Sequence, residues 1–274
     1  MAELTGKRAL ITGGSSGIGA ALARLLAADG VHLVLTARRR AALDAVAAEC
    51  RSRGVRVDVI VADLGRSGAA AAVWTEACAG GAIDICINNA GFGYFRPFTE
   101  ADWARDSEML QLNITSLVEL SRQFVAARAP HSERSYLMNI ASLAAFQAVP
   151  NMAVYAATKA FVLHFTEALH HELRGTPVSA TCVCPGGTVT EFHAQAGAGN
   201  YGWLANASML SAHRCAKLAL AAMRRGKPFV VTGLLNRISA FGVRLIPRWF
   251  ASFMARRVMG KPRPGQLPSR SIAA

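Results

Sequence analysis

Tyr155 and Lys159 stand four residues apart in the stretch Tyr155-Ala156-Ala157-Thr158-Lys159, and Ser142 lies thirteen residues before the tyrosine. On a helix, positions i and i+4 share a face. An ammonium placed there favours the phenolate and draws a tyrosine pKa towards neutrality. Such a tyrosine can give or take a proton while a nearby cofactor moves a hydride. A free tyrosine titrates near pH ~10, so bringing it to ~7 needs roughly 4 kcal/mol of differential stabilisation. The same spacing also describes an ordinary amphipathic pair, so the assignment depends on what accompanies it.

A glycine-rich turn, Thr12-Gly13-Gly14-Ser15-Ser16-Gly17-Ile18-Gly19, accompanies it near the start of the chain. Glycines at 13, 17 and 19 allow a tight reversal, and the helix that follows offers its N-terminal amides to a pyrophosphate. Gly13, Ser15, Ser16, Gly17, Ile18 and Gly19 are therefore candidate cofactor residues. The end of the second candidate strand reads Thr36-Ala37-Arg38-Arg39-Arg40 with no acid. An acid there suits the ribose hydroxyl of NAD, whereas arginine suits the 2′-phosphate of NADP. The expectation is NADP(H), with Arg38 the main contact and Arg39 the second. Asp63, in Asp63-Leu64 after the third strand, either accepts the adenine amino group or N-caps the helix after Gly65.

These residues need elements to hold them. Candidate strands at Arg8–Thr12, His32–Thr36, Arg56–Val61, Ile83–Asn88, Ser135–Ile140, Val178–Val183 and Phe229–Thr232 alternate with helical patterns near 17–29, 40–53, 66–79, 100–128, 153–174 and 211–225. The alternation predicts a single α/β domain with a parallel sheet of about seven strands, covered by helices on both faces. The chain of 274 residues, 52% hydrophobic and 17% charged, can fill one such core. No apolar run reaches the ~20 residues of a membrane span. The first strand begins almost at once, leaving no room for a signal peptide, so the expected location is cytoplasmic. The cysteines, Cys50, Cys78, Cys86, Cys182, Cys184 and Cys215, show no zinc spacing. The adjacent pair His170 and His171 points two ways on a helix. No metal site is expected.

The ordered set Thr12–Gly19, Asp63-Leu64, Asn88-Asn89-Ala90-Gly91, Asn113, Ser142, Tyr155-x-x-x-Lys159 and Pro185-Gly186-Gly187-Thr188 resembles the short-chain dehydrogenase/reductase family over nearly all of residues 5–232. The resemblance implies a Rossmann-like, doubly wound fold, NAD(P)-dependent redox chemistry on a carbonyl or alcohol, and a homodimer or homotetramer. It implies that Asn89, Ala90 and Gly91 run along the cofactor ribose, with Leu64 beside the adenine. Pro185, Gly186 and Thr188 would cradle the nicotinamide, with Thr190 a competitor for the role of Thr188. Tyr155 would be the acid or base, Lys159 would bind the nicotinamide ribose and lower the tyrosine pKa, and Ser142 would orient the substrate oxygen. Asn113 would hold a water in a proton relay, a role that comes from the resemblance alone.

Residues 191–210 mix Gly197, Gly199 and Gly202 with Phe192, Tyr201 and Trp203, and are expected to form a lid over a hydrophobic substrate. Phe92, Tyr94 and Phe95 would line the opposite wall. Domain limits of 1–232 for the catalytic unit and 233–274 for an extension follow. The extension is amphipathic and basic: Leu234, Ile238, Phe241 and Leu245 recur at helical steps, and residues 192–274 hold 13 Lys/Arg and no acid. Its apolar face either packs on the domain or a neighbouring subunit, or meets an anionic membrane. Nucleic acid is not expected, because the cations alternate with large apolar residues rather than forming a polar stripe. A reductase of small ketones, or a non-catalytic NADP(H)-binding regulator, remains an alternative.

Overall fold

The computed structural model describes residues 4–128, 131, 133–189 and 209–259. Seven parallel strands form one sheet: β1 (Arg8–Thr12), β2 (His32–Ala37), β3 (Val57–Val61), β4 (Ile85–Asn88), β5 (Ser135–Ile140), β6 (Val178–Cys184) and β9 (Phe229–Val231). Their order is β3-β2-β1-β4-β5-β6-β9. A short parallel pair, β7 (Thr188–Val189) and β8 (Leu210–Ser211), stands apart. The chain winds outwards from β1 to β3, then crosses back and winds the other way from β4. The crevice at this reversal, at the carboxyl ends of β1 and β4, is where such sheets bind ligands.

Alternation along the strands divides the core. Ala9, Ile11, Leu33, Leu35, Ile85 and Ile87 pack on one face with Leu22, Leu26 and Leu43. These come from α1 (Gly17–Ala28) and α2 (Arg40–Arg51). Leu10, Val34, Cys86 and Leu137 pack on the other face with Val73, Leu120 and Phe124. These come from α3 (Ala69–Ala79) and α5 (Ser116–Arg128). Because both faces are covered, the strands read as continuous apolar runs rather than alternating ones. Each fully buried Leu or Ile contributes about 1.5–3 kcal/mol.

A chain of hydrogen-bonded polar side chains runs through this core. Asn88 Nδ2 donates to Asn139 Oδ1 at 2.9 Å and to Ser121 Oγ at 3.0 Å, and Asn139 Nδ2 donates to Thr166 Oγ1 at 3.0 Å. The chain joins β4, β5, α5 and α6 (Ala153–Glu172) just beneath the crevice.

The expected helix over 100–128 is broken. A helix α4 (Trp103–Leu110) passes into a π-turn over Gln111–Thr115 and then into α5. The Ser116 amide bonds back to Gln111 O, one residue further than in an α-helix. Helix α3 begins at Ala69 rather than 66, because Asp63 Oδ1 accepts from Gly65 N and holds the preceding chain in a turn. The remaining ends differ by a residue or two. The expected lid falls outside the described residues except for 209 and 210.

After α7 (Ala212–Arg224) and β9 come α8 (Leu234–Gly242), a 3-10 turn at Val243–Leu245, and α9 (Arg248–Met259). The helical periodicity is as expected, but the apolar face does not pack on the domain. Asn236, Ala240, Ala251 and Ala255 are the buried residues, while Leu234, Ile238, Phe241, Leu245 and Trp249 are 60–72% exposed.

Truncating one member of the buried asparagine chain leaves others unpaired. Asn88→Ala is expected to cost about 2–3 kcal/mol, read as a shift in the urea unfolding midpoint. A cost under about 0.5 kcal/mol would show the network to be dispensable.

Candidate active site

The crevice begins where β1 ends. Thr12 Oγ1 accepts from Asn89 N at 3.0 Å and from Ala90 N at 2.9 Å. Asn89 Nδ2 returns bonds to Thr12 O at 2.9 Å and Gly13 O at 3.2 Å. The glycine turn and the Asn89-Ala90-Gly91 segment are thereby clasped together across the reversal point. Thr12 was not among the expected site residues, yet its hydroxyl is the centre of this clasp. Gly13 has a φ of 66°, and a Cβ there would lie 2.8 Å from Asn89 Nδ2. A Cβ at Gly19 would collide with Gly13 O. Both positions therefore demand glycine for close approach, and Gly13 also for its backbone.

The N-terminus of α1 suits an anion. Ser16, at its cap position, makes no side-chain cap bond, and the first turn holds no acid. The first amides and the positive end of the dipole are thus left for a ligand. This is the arrangement a pyrophosphate needs, so the residues present fit a dinucleotide.

At the edge of the same crevice, Arg38 is exposed and pairs with Glu108 of α4, Nη1 to Oε1 at 3.2 Å. Arg39 occupies the cap position of α2 in extended backbone. Asp63 Oδ1 accepts from the Gly65 amide and its other oxygen lies 3.7 Å from Arg66 Nε, so it holds a turn and does not cap the helix, whose cap position is Gly68. Leu64 is buried, and its carbonyl accepts from Ser116 Oγ at 2.7 Å.

Helix α6 brings Tyr155 and Lys159 to one face, both buried. Lys159 Nζ donates to Ile140 O at 2.9 Å and lies 5.8 Å from the centre of the Tyr155 ring. Gly91 runs close by: a Cβ there would sit 3.2 Å from Lys159 Nζ and 2.9 Å from Asn113 Oδ1. Gly93, which sequence reading passed over, lies flat against the Tyr155 ring and leaves no room for a Cβ. The π-turn aims Asn113 into this cluster. Its Oδ1 accepts from Phe92 N at 3.1 Å, and its Nδ2 donates to Phe92 O at 2.9 Å and Thr158 Oγ1 at 3.1 Å. The amide thus pins the 91–93 segment to α6.

Ser142 follows β5, and its Oγ accepts from Ala144 N at 3.1 Å, so it caps the 3-10 turn Leu143–Phe146 against which α6 packs. Leu143 N donates to Pro185 O at 2.7 Å, joining this turn to the Pro185–Thr188 segment. Gly186 packs against the Asn236 side chain so closely that a Cβ would overlap it. Asn236 Nδ2 in turn donates to Thr232 O at 2.7 Å. Asn236 is a third residue missed by motif reading, since it belongs to the helix after the last strand. The Thr188 backbone forms β7; Thr190 lies outside the described residues.

Of the residues expected to line the opposite wall, Phe92 packs against the cluster that buries the other two. Tyr94 and Phe95 are buried with Met109, Val149, Met152 and Tyr155. Tyr94 OH donates to Asp106, and burial together with this carboxylate pushes its pKa well above the usual tyrosine range. The Arg105 guanidinium covers the same ring at 5.0 Å. His170 bonds Ala180 O through Nδ1 at 2.8 Å. Among the described residues no group of three His, Cys, Asp or Glu could hold a metal.

Residues 7–200 match the family described as short chain dehydrogenase. The chain belongs to that family. It is an oxidoreductase with the family's Rossmann-like fold. An oxidoreductase of Myxococcus xanthus is 34% identical over 198 residues, 71% of this chain and 77% of that one. A 7β-hydroxysteroid dehydrogenase structure superposes with a TM-score of 0.82 at 25% identity, covering 94% of this chain and 98% of the other. A short-chain dehydrogenase from Sphingobium yanoikuyae in complex with NADPH gives 0.77 at 30% identity, with 96% and 99% covered. Other solved chains of this fold hold NADP in one case and NAD in another. The choice between them rests on each chain's own residues.

Lys159 carries a measurable cost. Burial holds its pKa down to about 8, and keeping it charged at neutral pH costs the fold roughly 3 kcal/mol. Below pH about 8 it is charged in both folded and unfolded chains, so the cost is borne in full. The cost fades as pH rises from about 8 to the ordinary lysine value of ~10.4. Lys159→Met, which keeps the length without the charge, is expected to unfold at an equal or higher urea midpoint at neutral pH. The gap should narrow towards pH ~10. A markedly lower midpoint at neutral pH would show that the ammonium stabilises the fold.

Proposed function

We propose that this chain is an NADP(H)-dependent reductase that moves a hydride between nicotinamide and a hydrophobic carbonyl or alcohol substrate. The observation that carries the reading is the buried Lys159, held by Ile140 O beneath Tyr155 at the carboxyl edge of β5. A desolvated cation whose pKa burial pulls down is a cost to the fold, and such costs concentrate at functional sites.

When bound, the cofactor supplies or accepts the hydride. The chain's own residues do the rest. Ser15–Gly19 and the free amides of α1 bind the pyrophosphate, and Asn89–Gly91 with Pro185–Thr188 line the ribose and nicotinamide. Tyr155 gives its phenolic proton to the substrate oxygen in reduction and takes it back in oxidation. The Lys159 ammonium favours the phenolate electrostatically and donates to the ribose. Ser142 hydrogen-bonds the substrate oxygen and orients it. Asn113 fixes the 91–93 segment and holds the water through which protons pass between Lys159 and solvent.

NADP(H) preference rests on Arg38 and Arg39 with no acid at the end of β2. The Arg38–Glu108 pair is exposed on both sides, so exchanging Glu108 for a phosphate forfeits at most about 1 kcal/mol. The charge-assisted phosphate contact returns more, about 1.5–3 kcal/mol. A hydrophobic substrate is supported by the Phe92–Phe95 wall and by the likeness to the hydroxysteroid dehydrogenase. Assembly into a homodimer or homotetramer belongs to the same proposal. Phe161 on α6, 40% exposed and stacked on Phe165, offers apolar surface for it.

Oxidation of NADPH and NADH, followed by nicotinamide absorbance over ketones from small to steroid-sized, tests the reading. Tyr155→Phe is expected to lose more than about 90% of turnover, a minimum for a general acid–base group, while still binding NADPH. A variant with near wild-type turnover sinks the assignment of Tyr155. Arg38→Ala should weaken NADPH by roughly 10- to 100-fold and NADH hardly at all. Equal losses for both cofactors would remove the phosphate role.

A further inference from the structure

Helices α8 and α9 invert the usual burial of an amphipathic helix. Their inward positions are Asn236, Ala240, Ala251 and Ala255, each no more than 6% exposed. Their largest apolar side chains face outwards: Ile238, Phe241, Leu245, Trp249 and Phe253 are 48–72% exposed. Among these stand Arg237, Arg244, Arg248, Arg256 and Arg257, all exposed. Residues 192–274 hold 13 Lys/Arg and no acid, whereas residues 1–191 balance 17 with 17. A monomer in water pays for every such apolar side chain it leaves wet, so the face requires a covering.

We propose that this face docks, without spanning, on the surface of an anionic lipid bilayer. Charge selects the occupant. A second copy of the chain seated face to face would set arginines against arginines, because a two-fold interface repeats the same patch on both sides. Nucleic acid would satisfy the arginines but leave Leu234, Ile238 and Leu245 against phosphate and water. An anionic interface accepts both classes: arginines at the headgroups, Trp and Phe at the acyl boundary. No described helix is long and apolar enough to cross a membrane. The helix that carries the docking face also backs the candidate site: its inward side packs on the Leu143–Phe146 turn and sets Asn236 against Gly186. Docking does not depend on the hydride chemistry, so its failure and the failure of that reading are separable.

The test sediments the full chain with vesicles of phosphatidylcholine alone and of equimolar phosphatidylcholine and phosphatidylglycerol. Binding is expected to the mixed vesicles only, and to weaken as salt is raised. The doubly substituted Arg244→Gln/Arg248→Gln chain should lose about fivefold in partition for each arginine. Trp249→Ala/Phe253→Ala, at exposed positions that do not hold the fold, should lose at least about tenfold. The Tyr155→Phe chain should bind as the wild type does. Absence of binding, or equal binding to both vesicle types, overturns the proposal. So does a dimer in lipid-free light scattering that disappears in Trp249→Ala/Phe253→Ala, which would assign the face to a second copy. Retention by duplex DNA tighter than by the mixed vesicles at equal salt overturns it in favour of nucleic acid.

Discussion

The hydrogen bond from Lys159 Nζ to Ile140 O is the constraint around which the site is built. An ammonium taken out of water must be given partners or lose its proton. Here the Ile140 carbonyl at the end of β5 accepts from it, which ties α6 to the strand and so helps set the direction of Tyr155. The same position brings Gly91 and Asn113 to the lysine, and Asn113 ties the loop back to α6 through Thr158 and Phe92. The surrounding interactions hold this cation in place and offset only part of the cost of burying it.

Beneath that cluster the sheet supplies a second layer of control. The asparagine chain from Asn88 through Asn139 to Thr166 locks the carboxyl ends of β4 and β5 to α6. Thr12 locks the carboxyl end of β1 to the segment that follows β4. The crevice is thus bounded by buried hydrogen bonds on one side and by backbone clasps on the other. Each is directional in a way that hydrophobic packing is not.

The strands and helices were legible because both faces of the sheet are covered, which turns each strand into an apolar run with clear ends. Ser142, Tyr155 and Lys159 were legible by spacing, which survives without a structure. Thr12 was not: a β-branched residue ending a strand looks ordinary, and its partners lie 77 and 78 residues away. Glu108 opposite Arg38 and Asn236 beneath Gly186 were hidden for the same reason, each coming from an element with its own motif-free sequence. The break in the 100–128 helix left no mark, since a π-turn inserts a residue without changing composition. In the last helices the period was readable but the inward side was not, because alanines rather than large apolar residues face the fold.

The contact between Asn236 and Gly186 has a consequence for how the molecule comes into being. The glycine turn, the clasp and the Tyr155–Lys159 pair are all synthesised before the residue that backs the Pro185–Thr188 segment. At ordinary rates of translation roughly ten seconds or more separate residue 12 from residue 236. During that interval the nascent chain can assemble most of its sheet but not the last wall of its crevice. Ribosomal synthesis therefore delivers most of the sheet first and the backed site only after residue 236.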